Sequence, residues 1–158
     1  MIFAERERRR TRRTLSERSV KRAETPPFSE TIDEICYTYK QFFIGQSYLA
    51  PLTTEQIPTF NVTFEPSCRN NWHIHHSKTG GGQMLIVIFG EGWYQEWGKP
   101  ARKLKVGDIV NIPPNVKHWH GAAKDSWFQH LAQEIPGTDT SNEWLEPVSD
   151  EEYNKLGE

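Results

Sequence analysis

The chemistry-bearing residues of this chain are its six histidines, His73, His75, His76, His118, His120 and His130, all of which fall between residues 73 and 130 of 158. Neutral imidazole is the commonest protein ligand for zinc, iron, manganese, nickel and copper. Side chains two residues apart on a β-strand share a face. His73 and His75 therefore project together, and so do His118 and His120. Two such His-x-His pairs on separate strands of a barrel can converge inside it. A single buried imidazole is ordinarily a hydrogen-bonded core residue, whereas two paired sets point to a metal centre. His76 falls on the opposite face from its neighbours and reads as solvent-facing or loop-stabilising.

The elements that must position these pairs are strands. Proline recurs at short intervals (Pro26, Pro27, Pro51, Pro58, Pro66, Pro100, Pro113, Pro114, Pro136, Pro147) and rules out long helices. Between the prolines lie short runs rich in Val, Ile, Phe, Tyr and Trp: Cys36–Tyr39, Gln41–Ile44, Asn61–Phe64, Trp72–His75, Met84–Phe89, Gly92–Trp97, Asp108–Ile112 and Phe128–Ala132. Many short strands at this spacing predict an all-β sandwich or barrel. One helix is expected near the C-terminus, where Ser149 can cap it and Glu152 is the reciprocal partner. A helical turn is also conceivable at Ile32–Cys36. Hydrophobic residues make up only 35% of the chain while aromatics reach 12%, six of them Trp, which implies a small core built of large rings.

Other compositional features bound the function. No stretch approaches the ~18 apolar residues of a membrane span. A net charge of -2 argues against a mainly electrostatic nucleic-acid binder. Cys36 and Cys68 form neither a disulfide framework nor a close-spaced zinc pattern, so a reducing cytoplasm is the default compartment. Charge is uneven: residues 1–22 carry nine Lys or Arg against three Glu. Such a segment has little to bury and is expected to be a disordered or weakly helical tail. It reads as a solvated extension or as an arm for nucleic acid or anionic lipid, while its glutamates argue against a transit peptide. The expected organisation is a basic tail over 1–24, an irregular N-terminal arm with edge strands over 25–50, a barrel over 51–135 and a C-terminal extension with the helix over 136–158. The aromatics of 25–50 (Phe28, Tyr37, Tyr39, Phe42, Phe43, Tyr48) exceed what so small a barrel can bury, which predicts a homodimer or higher homo-oligomer.

Around the histidine pairs the spacing becomes specific. Gly107-Asp108-Ile109-Val110-Asn111-Ile112-Pro113-Pro114-Asn115-Val116-Lys117-His118 resembles the second cupin motif, a Gly, five residues, Pro-x-Gly, two residues and His. Asn115 stands for the second Gly, and Asn tolerates the left-handed turn required there. His73-Ile74-His75 resembles the core of the first motif, with three departures. Ser67 replaces the leading Gly, Gln83 replaces the Glu, and seven residues ending in Gly80-Gly81-Gly82 separate His75 from Gln83. Asn61-Val62-Thr63-Phe64-Glu65-Pro66, Lys117 to Ala123 and His130-Leu131-Ala132 look like the small bacterial monocupins related to manganese-dependent hydroxynitrile lyases and to carboxymuconolactone-decarboxylase-associated cupins.

The resemblance implies a cupin-type jelly-roll β-barrel. It also implies a divalent metal, commonly manganese with iron, zinc or nickel as substitutes, held by His73, His75, Gln83 and His118. His120 and His130 would serve as acid–base or supporting residues beside the open coordination position, and the tail from Asn142 to Tyr153 would pack outside the barrel. Three imidazoles and an amide leave the cation its full charge, which favours Lewis-acid over high-valent redox work. The implied reaction is a metal-dependent lyase step on a small hydroxylated or carbonyl compound, such as cleavage of a cyanohydrin to aldehyde and cyanide. Two alternatives stay open: a metal-dependent dioxygenase or oxidase, and a non-catalytic metal-stabilised barrel that binds a small ligand. Trp72, Trp93, Trp97, Trp119 and Trp127 read as core and pocket wall, and Glu65 and Glu134 as structural rather than catalytic.

Overall fold

The structure, a computed structural model, describes residues 40–157. The basic segment 1–24, the turn at Ile32–Cys36, the strand at Cys36–Tyr39 and the aromatics Phe28, Tyr37 and Tyr39 lie outside the described residues. After a 3-10 turn at Lys40–Phe42 come thirteen strands: β1 (Phe43–Ile44), β2 (Ser47–Thr53), β3 (Thr59–Phe64), β4 (Arg69–Asn70), β5 (His73–His76), β6 (Thr79–Gly80), β7 (Gln83–Glu96), β8 (Arg102–Lys105), β9 (Ile109–Ile112), β10 (His118–Ala122), β11 (Phe128–Glu134), β12 (Gly137–Thr138) and β13 (Ser141–Trp144). Among the described residues a single α-helix, α1 (Asp150–Asn154), follows. Every pairing is antiparallel, and the main order is β1-β4-β10-β7-β11-β3-β2. The result is a nearly closed jelly-roll barrel of the cupin type, as the motifs imply.

The sequence reads Met84–Phe89 and Gly92–Trp97 as two strands, but they are one strand of fourteen residues, β7. Its first half pairs with β9 and β11, and its second half with β8 and β10. Between them the register slips, with Gln129 opposite Phe89 and His130 opposite Val87, so Ile88 is an extra residue. A bulge of this kind bends a strand and flips the phase of its alternation. Leu85 and Val87 point inward before it, and Gly92 and Tyr94 after it. Gly90 completes the bend at φ +68, where a Cβ would fall 1.7 Å from the Trp127 carbonyl oxygen. Thus one strand serves both sheets.

The core between the sheets holds Val62, Phe64, Leu85, Val87, Leu104, Ile112 and Phe128. A second cluster, Trp72, Trp119, Val148 and Tyr153, covers the outer face of β10, where Trp119 alternates with the inward His118 and His120. Here the tail packs outside the barrel. Ser149 and Glu152 form the reciprocal cap that the sequence predicts for α1. Buried Arg69 fastens this tail: its guanidinium donates to the Val148 carbonyl, meets Asp150 and lies 4.4 Å over the Tyr153 ring. The Tyr153 hydroxyl donates to the Ala122 carbonyl at 2.7 Å. In urea unfolding, Tyr153→Phe should therefore cost about 1 kcal/mol for the lost hydrogen bond. Tyr153→Ala should cost about 3 kcal/mol or more for the ring as well, and equal losses in the two variants would contradict this account of the tail.

Candidate metal centre

His73 and His75 project inward from β5, and the register sets His118 of β10 directly opposite His73. The ring Nδ1–H of His73 donates to the Asn71 carbonyl at 2.9 Å, and that of His118 to the Val116 carbonyl at 2.9 Å. A carbonyl only accepts, so each bond fixes the proton on Nδ1 and leaves Nε2 with its lone pair. One ligand atom from each of His73, His75 and His118 lies within 4.8 Å of the others. Burial pushes the His73 ring well below its ordinary pKa, aided by His118 and His75. Burial also brings His118 down to about 4, against the opposing pull of its bond to Val116. At neutral pH both rings are therefore neutral donors, the form a metal requires. The Nε2 atoms of His75 and His118 are buried with no hydrogen-bond partner.

Gln83 reaches the same cavity. The seven-residue linker is taken up by β6, which pairs with β12, and by three glycines in the left-handed region. At Gly82 a side chain would strike the Ile112 carbonyl oxygen at 2.3 Å, so glycine lets the chain hug the second motif before Gln83 starts β7. The Gln83 Nε2 donates to Glu134 Oε1 at 2.9 Å, while its Oε1 is buried without a partner. Asn115 adopts φ +65, as its place in the motif predicts, and Ser67, standing for the other motif glycine, adopts φ +69. Asn115 also ties the two motifs together. Its backbone N–H donates to the His75 carbonyl, and its side chain bonds both backbone groups of Ser77.

Glu134, read from the sequence as structural rather than catalytic, lines the cavity beside Gln83 and His75. Its Oε2 lies 3.2 Å from His75 Nδ1, at ion-pair distance but without hydrogen-bond alignment. Burial works to raise its carboxyl, but the contacts to His75 and Gln83 outweigh this and hold it below the usual range. The signal was present in the strand period: His130, Ala132 and Glu134 share one face of β11.

The cavity measures about 360 Å³. Its walls are Phe43, Leu49, Phe60, Val62, Ala132 and Trp144, and its polar groups include Asn70, His73, His75, Gln83, His120 and Glu134. Trp144 was expected in a tail lying wholly outside the barrel. Instead β13 pairs with β5, and the indole stacks 4.7 Å from the His73 ring. His120 lines the cavity with its ring anchored by Asn70. The Asn70 Oδ1 accepts the His120 backbone N–H at 2.9 Å, and Nδ2 stands 3.1 Å from His120 Nε2 and 3.4 Å from Nδ1. His130 sits behind it, stacked against Phe64 and edge-on to His120 at 4.8 Å, with neither nitrogen hydrogen-bonded and with no part in the cavity wall. His76 turns away, and its Nε2 meets Glu143 at 2.6 Å.

Comparisons with known proteins agree with this architecture. No family model matches the chain. It is 37% identical over 118 residues to an (R)-mandelonitrile lyase from Granulicella tundricola, covering 72% of this chain and 87% of that protein. A crystal structure of a cupin-like protein from Thermotoga maritima MSB8 is 44% identical and superposes with a TM-score of 0.66, covering 75% of this chain and 92% of that one. A DMSP lyase from Ruegeria pomeroyi DSS-3 has a TM-score of 0.53 at 17% identity over 81% of this chain and 64% of its own, a likeness of fold alone. Among the described residues no helix is long and apolar enough to cross a membrane.

Burial also sets the acid response. His130 is brought down to about 3 by burial, against an ordinary value of 6.5. Between those values the unfolded chain takes up a proton that the folded ring refuses, so stability present above about pH 6.5 is lost as pH falls toward 3. The melting temperature of metal-free protein should fall across that window. His130→Leu should flatten the slope, and an unchanged slope would contradict this role.

Proposed function

The chain belongs to the cupin family that includes the (R)-mandelonitrile lyase of Granulicella tundricola, and on that footing we propose that it is a metal-dependent lyase that cleaves a cyanohydrin to an aldehyde and hydrogen cyanide. The observation that carries the reading is the grouping of neutral donors beneath one apolar cavity. His73, His75 and His118 bring their ligand atoms together, and Gln83 adds a buried amide oxygen with no other partner. Buried donors, those of His75, His118 and Gln83 without a hydrogen-bond partner, fit a divalent cation, and we take manganese as the resident ion. When bound, the ion supplies Lewis acidity, favouring the deprotonated form of a hydroxyl and the polarised form of a carbonyl.

The chain's own residues supply the rest. Phe60, Val62, Leu49 and Trp144 form an apolar wall that receives the organic substituent and excludes water. We assign to His120, which lines the cavity, the task of taking the hydroxyl proton and handing it to the departing cyanide. Asn70, within 3.4 Å of both ring nitrogens, keeps the ring in place. The C–CN bond breaks with its electron pair on cyanide, and the carbinol carbon becomes the aldehyde carbonyl. His130, behind His120 and without a polar partner, supports the ring rather than meeting substrate.

Protein stripped with chelator and reloaded with manganese should cleave mandelonitrile, while the stripped form should not. His120→Ala should keep the metal and lose at least ~100-fold in rate, the scale of a lost acid–base group. His73→Ala should lose the metal itself. Metal-free protein or a His120→Ala variant that cleaves as fast as wild type would refute the mechanism.

A further inference from the structure

None of the four donors carries a negative charge, yet a carboxylate stands beside the site. The Glu134 carboxylate stands one bond behind it, joined to Gln83 through Nε2 at 2.9 Å and beside His75 Nδ1 at 3.2 Å. This contact settles the orientation of an otherwise ambiguous side chain. Turning the Gln83 amide over would set its oxygen against a carboxylate oxygen, two acceptors with no proton between them. A carboxylate therefore forces the Gln83 oxygen toward the cavity, where it is buried without a partner. Glu134 does not belong to the cluster of ligand atoms formed by the three histidines, so its effect on an ion passes through the residues it touches. The motif that this chain resembles has Glu where Gln83 stands. Here the carboxylate lies on another strand, one residue further from the centre.

We propose that Glu134 is the positioning residue of the metal site: it locks the Gln83 amide with oxygen inward, steadies His75, and returns to the site the negative charge that the neutral ligand set lacks. The proposal rests on Gln83 as a ligand, and it concerns metal binding rather than the lyase step. Glu134→Gln keeps the size of the side chain but removes both the charge and the orientation rule, since an amide can pair with either end of Gln83. Outer groups of this kind are worth roughly 10- to 100-fold in metal affinity.

Three measurements test this. First, nuclear magnetic resonance of metal-free protein should find the Gln83 side-chain amide protons shifted and slow to exchange, with both features lost in Glu134→Gln. Second, titration with manganese and with zinc should find affinity reduced about 10- to 100-fold in Glu134→Gln, while the melting temperature of the metal-free variant stays close to that of wild type. Third, a double-mutant cycle with Gln83→Ala should be non-additive, the double variant losing less than the product of the two single losses. Wild-type affinity in Glu134→Gln, an unmoved Gln83 signal, or strictly multiplicative losses would each overturn the proposal. A wild-type protein with no affinity for either metal would overturn both the ligand set and this role. Reduced metal affinity in Glu134→Gln, with no cyanohydrin cleavage by the metal-loaded wild type, would sink the lyase reading alone and uphold Glu134.

Discussion

Five imidazoles lie buried in one small barrel, and the cost of burying charge governs what they can be. An unpaired cation in such an interior is so unfavourable that a histidine gives up its proton instead. His73, His118, His120 and His130 are all held below their ordinary range with burial as the leading cause. A neutral imidazole has one N–H and one lone pair, so the location of its acceptor decides where the lone pair goes. For His73 and His118 the acceptors are backbone carbonyls two residues earlier in the chain. The local backbone thereby fixes which nitrogen of each ring is free to bind an ion.

Much of this was legible in the residues. The two-residue spacing of the histidines, the turn at Asn115 and the Ser149 cap each depend on local rules, and local rules survive folding. The parts that escaped depend on distant neighbours. β7 read as two strands because the extra residue Ile88 reverses its alternation, which in sequence looks like a break. β2 went unread because Pro51 interrupts it, yet β2 is the last strand of the sheet order, where a missing N–H is tolerated. Glu134 lay in view on the face of His130 and Ala132, but its partner Gln83 is 51 residues away. Trp144 could not be assigned to the cavity without the pairing of β13 with β5.

The departures from the motif become intelligible as one set. Ser67 and Asn115 occupy glycine positions and still adopt positive φ, a strain that non-glycine residues bear only where surrounding contacts hold them. Asn115 has those contacts in Ser77 and His75, and Ser67 bonds the backbone of Ala123 and Lys124. The long glycine linker gives Gln83 a close approach to Ile112 and Pro113, so the substituted ligand position is reached by a rerouted chain rather than by a distorted strand.

The bend in β7 has a mechanical consequence. Its first residue, Gln83, borders the cavity, and its last, Glu96, pairs across from His118. A straight ribbon of this length would keep its ends about 45 Å apart, and the curl at Ile88 and Gly90 shortens that span. The strand therefore works as a clasp: its first half holds β9 and β11 and its second half β8 and β10, so the two sheets cannot part without breaking the pairings of one half.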